Sequence, residues 1–356
     1  MSGFLHRLGP LWPGVPFALG SAALFGLTAP LAKALLGRFD PQLLAGALYL
    51  GAGAGLAGFH LARRAVGLPA PEAPLRRADW PWLAAVVFFG GFLGPLLLMA
   101  GLKATGAASA SLLLNLEGLA TMAIAWLVFH ENVDAWLFAG AMAILAGAVV
   151  LSWQGRGLAL DEGALLVGGA CLAWGIDNNL TRKLSSADPV SIAAIKGLVA
   201  GSVNLIAALA RGAEPPGLVF SSAAGLLGFF AVGVSLVFYI LALRRLGAAR
   251  TGAYFALAPF IGALASLVLL HEQPTVRLLV AGALMALGLW PHLAERHDHE
   301  HVHEAFEHEH AHVHDEHHQH SHEGPVTEPH SHRHRHERQL HSHPHYPDLH
   351  HRHTHG

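Results

Sequence analysis

Ten stretches of mostly apolar residues follow one another along the chain, separated by short polar segments. A helix needs about 20 such residues to cross the hydrocarbon core of a bilayer, which is about 30 Å thick. The sequence therefore predicts an all-α integral membrane protein with ten transmembrane helices. We place them near residues 14–36, 41–61, 80–102, 107–129, 135–153, 163–184, 190–210, 218–241, 249–270 and 278–293.

The two halves of this apolar region resemble each other in sequence. Residues 106–131 and 247–272 both begin with Gly-Ala-Ala and end with His-Glu, and Asp40-Pro41 matches Asp188-Pro189. Each half holds five predicted helices, so the second half enters the membrane from the opposite side. This arrangement is an inverted-topology repeat, which is typical of secondary transporters. We assign residues 1–153 and 154–295 to the two repeats and residues 296–356 to a separate tail.

The repeated segment also carries a resemblance to a known family. LLLNLEGLATMAIAWLVFHENV runs from an apolar helix into a His-Glu turn, and His271-Glu272 ends the matching segment of the second half. Together with the ten-helix architecture, this resembles the EamA family of the drug/metabolite transporter superfamily. The resemblance implies a ten-helix bundle that exports or exchanges a small organic solute, and says nothing about the tail.

Composition and charge exclude several other classes of protein. Only 13% of the residues are charged and 53% are hydrophobic, against about 25% charged in an average soluble domain. The near-neutral balance of charges gives no support to a nucleic-acid surface. Cys171 is the single cysteine, so no disulfide forms within the chain. No phosphate-binding loop or zinc-protease motif occurs, and we predict neither an enzyme nor a required cofactor.

Several polar residues occur inside the predicted helices, where a charge costs about 2.5–3.5 kcal/mol. They should face a cavity in the bundle. The candidate substrate or coupling-ion site consists of Asn115, Glu117, Trp174, Asp177, Asn178 and Lys196. In the functional interpretation, Glu117 and Asp177 are protonatable carboxylates, and Lys196 binds an anion or pairs with one of them. In the alternative interpretation, these groups neutralise one another as packing contacts between helices.

The tail from Arg296 to Gly356 contains 23 of the 28 histidines. Interleaved acidic residues and prolines leave it no apolar face to bury, so we predict that it is disordered. Histidines at alternate positions share one side of an extended chain, where imidazoles bind nickel, cobalt, zinc or copper. The predicted ligands are His297, His299, His301, His303, His308, His310, His312, His314, His330, His332, His334 and His336.

These features favour a secondary active transporter of small organic solutes, an exporter or exchanger with a metal-binding tail. One alternative is a transporter of nickel, cobalt, zinc or a metal chelate, and another is a membrane metal buffer or sensor that transports nothing.

The distribution of Lys and Arg among the loops predicts a protein of the cell membrane with both termini in the cytoplasm. Gly51 and Gly55, like Gly197 and Gly201, have the GxxxG spacing of close helix contacts. This spacing predicts helix packing within the bundle more strongly than it predicts a homodimer. The formation of a homodimer stays an open alternative.

Overall fold

The computed structural model describes residues 14–67, 75–129, 135–153, 160–181, 184, 188–246 and 248–294, together with four strands beyond residue 299. Within these residues the chain forms ten helical spans, which we number in chain order. Span 1 consists of the helices Val15–Gly26 and Thr28–Leu36, and span 2 of Pro41–Ala65. Span 3 is composed of Arg77–Asp79, Trp80–Val86, Val87–Leu93 and Gly94–Ala104; span 4 of Ala107–Leu113 and Leu116–Phe129; span 5 of Ala135–Ser152.

The second half repeats this order of helices. Span 6 is Glu162–Thr181 and span 7 is Pro189–Ala210. Span 8 consists of Leu218–Gly228, Phe229–Val234 and Ser235–Leu246; span 9 of Ala248–Phe255 and Ala258–Leu269; span 10 of Val276–Ala294. Seven spans among the described residues, numbers 1 to 5, 7 and 8, are long and apolar enough to cross a membrane. The predicted all-α, ten-helix architecture of the body is confirmed.

The two halves are interrupted at corresponding places. Spans 3 and 8 each contain a π-helical segment, Val87–Leu93 and Phe229–Val234. Span 4 is broken at Leu114-Asn115 and span 9 at Ala256-Leu257. Pro259 lies in the first turn after the second break, as expected for a residue that cannot continue the preceding helix. Both halves therefore contain irregular backbone near the middle of the third and fourth spans.

Spans 2 and 7, which correspond in the two halves, run in opposite directions, as an inverted repeat requires. The space beside Gly46 is filled by backbone of Leu205 and Gly201, whereas Gly53, further along span 2, meets Gly197 and Leu198. Residue numbers rise along span 2 as they fall along span 7, so these two helices are antiparallel. Their first turns use the same device: Asp40 accepts hydrogen bonds from backbone N–H groups of span 2, and Asp188 does so for span 7.

The GxxxG residues lie between helices of the same chain. A Cβ on Gly51 would meet backbone of Gly225 in span 8, and a Cβ on Gly55 would meet the Phe229 ring. Gly197 and Gly201 pack in the same way against span 2. These glycines allow close approach of helices inside the bundle.

The tail contains four short strands among its described residues: β1 Glu300–His303, β2 Glu307–His312, β3 His330–Arg335 and β4 Gln339–Ser342. β1 pairs with β4, and β2 pairs with β3, both antiparallel. The sequence predicts disorder for these segments, whereas the structure contains the four strands. Alternation of His with other residues also has the two-residue period of a strand. Disorder in the rest of the tail stays a prediction.

Candidate functional site

An ion pair between spans 6 and 7 is the most buried charged contact among the described residues. Lys196 Nζ lies 2.6 Å from Asp177 Oδ2, and the Asp177 side chain is 5% exposed. The Thr181 hydroxyl lies 3.4 Å from the other carboxylate oxygen. Burial without a partner would cost a charge several kcal/mol. The short contact therefore allows both charged groups to lie within the bundle.

The π-helical segment of span 3 makes room for this pair. A Cβ on Gly90 would collide with the Asp177 carboxylate, and a Cβ on Gly91 would lie 2.6 Å from the Ala200 side chain and 3.0 Å from Lys196 Cγ. Only glycine at these two positions lets span 3 approach both partners. Because π-helical turns occur frequently at functional sites, the coincidence of this segment with the ion pair favours a site here.

The Gly90 carbonyl oxygen is a second polar centre of the same region. It accepts hydrogen bonds from the Tyr49 hydroxyl at 2.9 Å and from Trp174 Nε1 at 3.0 Å. The three residues belong to spans 2, 3 and 6, so one carbonyl connects three helices. Gly90 therefore binds two aromatic side chains through its carbonyl and lies against the Asp177 carboxylate of the ion pair.

Glu117 lies in span 4 and is bound differently from Asp177. Asn178 Nδ2 donates to Glu117 Oε1 at 3.0 Å and lies 3.2 Å from the Thr121 hydroxyl, which itself donates to the Glu117 carbonyl. Asn179 adds a hydrogen bond to the Thr121 carbonyl. Among the described residues, no Lys or Arg lies within ion-pair distance of the Glu117 carboxylate. Glu117 is therefore a half-buried carboxylate held by an amide rather than by a cation.

The structure joins five of the six candidate site residues into neighbouring contacts and separates the sixth. Asn115 donates to the Leu112 carbonyl and lies 3.8 Å from the Met285 sulfur of span 10, so these contacts do not join it to the Glu117–Asn178 pair. Sequence reasoning missed Tyr49 and Gly90. A tyrosine in a glycine-rich helix and a glycine in an apolar run carry no signal of their own without the partner helices.

Neither carboxylate has a counterpart at the corresponding position of the other half. The alignment of Gly26 with Gly175 puts Thr28 opposite Asp177, and the alignment of Gly106 with Gly247 puts Ala258 opposite Glu117. Both residues are buried. The bundle thus combines a repeated backbone arrangement with polar residues that are not repeated between the halves.

Family comparison identifies the architecture. The EamA-like transporter family matches residues 12–153 and again residues 161–291, which together cover most of the chain. The chain belongs to the EamA-like transporter family. It is therefore a multi-pass membrane transporter, and the alternative of a membrane buffer or sensor that transports nothing is withdrawn.

Two individual proteins resemble this EamA-like transporter. An uncharacterized transporter of Methanothermobacter thermautotrophicus is 30% identical over 296 residues, which cover 79% of this chain and 85% of the relative. A solved crystal structure superposes with a TM-score of 0.57 at 23% identity, over 77% of this chain and 94% of the other. The relative supports transport as the function, and the solved structure supports the fold.

The predicted histidine ligands of the tail fall into two groups. His297, His299, His314 and His336 lie outside the described residues, and the other eight lie on strands β1, β2 and β3. Where side chains are described, no group of three or more His, Cys, Asp or Glu residues could hold a metal ion. Metal binding by the tail therefore stays a prediction, and the transmembrane bundle offers no observation that favours a metal cargo.

Proposed function

We propose that this EamA-like transporter is a secondary active exporter or exchanger of small organic solutes in which Glu117 is the proton-coupling carboxylate. The observation that carries the proposal is the difference between the partners of the two acids within the spans. Asp177 contacts Lys196 at 2.6 Å, whereas Glu117 contacts the neutral amide of Asn178. Ionisable residues within membrane spans mark ion and substrate pathways by default, so both acids are candidates.

A coupling carboxylate must take up and release a proton in each cycle. Asp177 is poorly suited to this role, since protonation would leave Lys196 without its counter-charge inside the bundle. Protonation of Glu117 removes no ion pair among the described residues, and Asn178 can hydrogen-bond either form because its amide both donates and accepts. The Asp177–Lys196 pair would then position spans 6 and 7 against the solute, and Trp174 and Tyr49 would supply aromatic surface.

Proteoliposomes test the proposal directly. Purified protein is reconstituted with a pH-sensitive dye inside the vesicles, and pools of amino acids, organic acids, amines and sugars are added outside. We expect at least one pool to cause proton flux with wild-type protein and none to do so with Glu117→Gln. Glu162→Gln is the matched control, because Glu162 is an exposed carboxylate at the start of span 6. Solute-driven proton flux that persists in Glu117→Gln would refute the role of Glu117.

We also propose that the tail binds divalent transition metals on the cytoplasmic side. Support comes from the pairing of β2 with β3, in which His308, His310 and His312 are opposite His334, His332 and His330. Directly opposite and alternate residues share a face of an antiparallel pair. The register therefore places these six histidines at positions that share one face of the pair, and imidazole is a ligand suited to divalent transition metals.

Metal binding is tested with the full chain and with a chain that ends at Glu295. Equilibrium dialysis against nickel and zinc should show several bound ions per full chain and almost none per truncated chain. Equal binding by both proteins would refute the proposal. Cells expressing each form, and Glu117→Gln, then separate the roles: metal content that depends on both the tail and Glu117 would favour the alternative of a metal cargo.

A further inference from the structure

Two charged side chains hold the turn between spans 3 and 4. Lys33 of span 1 donates to the Leu102 carbonyl and, at 2.8 Å, to the Thr105 carbonyl, where span 3 ends. Glu272, between spans 9 and 10, accepts from the Ala107 N–H at 2.7 Å and from the Ala108 N–H at 3.0 Å, where span 4 begins. We call Lys33 and Glu272 the cap pair.

The contacts of the cap pair are of the strong kind. Hydrogen bonds that involve a charged group are shorter and about twice as strong as neutral ones. An anion at a helix N-terminus and a cation at a helix C-terminus are both favoured by the helix dipole. Gly106 leaves space for the carboxylate, since a Cβ there would lie 3.3 Å from Glu272 Oε2. The two helix ends and the turn between them are thus fixed by one acid and one base.

The backbone before Glu272 is in an uncommon conformation. His271 has φ 53°, in the left-handed region, and is the one non-glycine residue with positive φ among the described residues. This position follows the end of a helix, where glycine usually occurs, and a side chain there costs about 1 kcal/mol or more. Such strain persists where the surroundings impose it, and it is concentrated in clamps and switch regions.

The cap pair also connects the two halves of the chain. Lys33, span 3 and span 4 belong to the first half, whereas Glu272 belongs to the second. Alternating access in inverted-repeat transporters moves such units against one another around a fixed site. A contact between halves at one end of the bundle can therefore hold that end closed.

We propose that the cap pair is the gate contact that keeps this end of the bundle closed, and that its release uncovers the start of span 4. The gate lies at the end of the bundle where spans 1, 3 and 9 finish, because the contacts of Lys33 and Glu272 join those three helix ends. Span 7 finishes at the same end, since Arg211 at its C-terminus pairs with Asp40 at the start of span 2. The proposal does not depend on Glu117 or on the identity of the solute.

Cysteine labelling tests the gate in a simple background. Cys171 is buried and is the single cysteine, so Cys171→Ser removes competing thiols. Ala108→Cys reports on the capped turn and Ala148→Cys, in span 5, reports on general loosening; the two alanines are 2% and 5% exposed. N-ethylmaleimide reacts with each reporter in proteoliposomes, with and without a change in the cap pair.

We expect Glu272→Gln to raise the labelling rate at position 108 about tenfold or more and to leave position 148 unchanged. Lys33→Met should have the same effect, and the double variant should exceed neither single variant by much, because both act on one contact. Glu214→Gln is the matched control, an exposed carboxylate in the segment after span 7 at the same end. An unchanged rate at position 108, equal rises at both reporters, or additive effects of the two substitutions would each overturn the proposal.

Discussion

Replacing Lys196 by methionine removes the cation that the buried Asp177 contacts at 2.6 Å. Asp177 would keep only the Thr181 hydroxyl, at 3.4 Å, as a described hydrogen-bond partner. Removal of one member of a buried ion pair typically costs about 3–5 kcal/mol. The Lys196 side chain is 21% exposed, so its charge is partly solvated already, and we expect a loss at the lower end of this range, about 3 kcal/mol.

The double variant Asp177→Asn/Lys196→Met separates the cost of a stranded charge from the cost of changed shape. With both charges removed, we expect a loss of about 1 kcal/mol or less. The assay is unfolding in mixed micelles at increasing mole fractions of sodium dodecyl sulfate, followed by tryptophan fluorescence. Lys103→Met, at an exposed lysine, is the matched control. The reasoning is refuted if Lys196→Met is no less stable than Lys103→Met, or if the double variant is as unstable as Lys196→Met.

Three further predictions concern packing, helix starts and the tail. Gly53→Ala should lower stability by about 1–3 kcal/mol, because a Cβ there collides with span 7 backbone, whereas Gly58→Ala in the same helix meets nothing within 4 Å and should be tolerated. Asp40→Ala and Asp188→Ala should each cost about 1 kcal/mol through the lost N-cap, measured by the same unfolding assay. Metal binding by the full chain should fall as pH drops through about 6.5, since protonated imidazoles do not ligate, and dialysis at pH 5.5 and 7.5 checks this.

The parts of the fold that follow from local chemistry could be predicted from the sequence. Apolar length predicted the ten spans. The starts of spans 2 and 7 also depend on local chemistry, because the capping carboxylates of Asp40 and Asp188 and the prolines that follow them act within one turn. The sequence also placed Glu117 and Asp177 inside spans. It could not decide which of them pairs with Lys196, since that choice depends on how spans 4, 6 and 7 cross.

Other features of the site have no local signature. The π-helical segment at Val87–Leu93 adds one residue to a turn without changing the apolar composition, so no periodicity in the sequence marks it. The role of the Gly90 carbonyl depends on Tyr49 and Trp174, which come from spans 2 and 6. In the same way, Lys33 is an ordinary helix-terminal lysine until Glu272, from the other half, lies across the turn.

The backbone of this transporter is repeated in the two halves, whereas its polar side chains are not. The repeated backbone serves the opening of the bundle, and the polar side chains serve binding and coupling. Symmetric crossing of spans 2 and 7 allows either end of the bundle to open by similar movements, because each half contributes the same helices in inverted order. The chemistry of coupling needs only one site near the middle, so a second copy of Glu117 and Asp177 would add a desolvation cost without adding a function. Thr28 and Ala258 occupy the corresponding positions and avoid that cost. A symmetric frame with one polar site is therefore the arrangement that we expect for a transporter that alternates between two openings around a single binding centre.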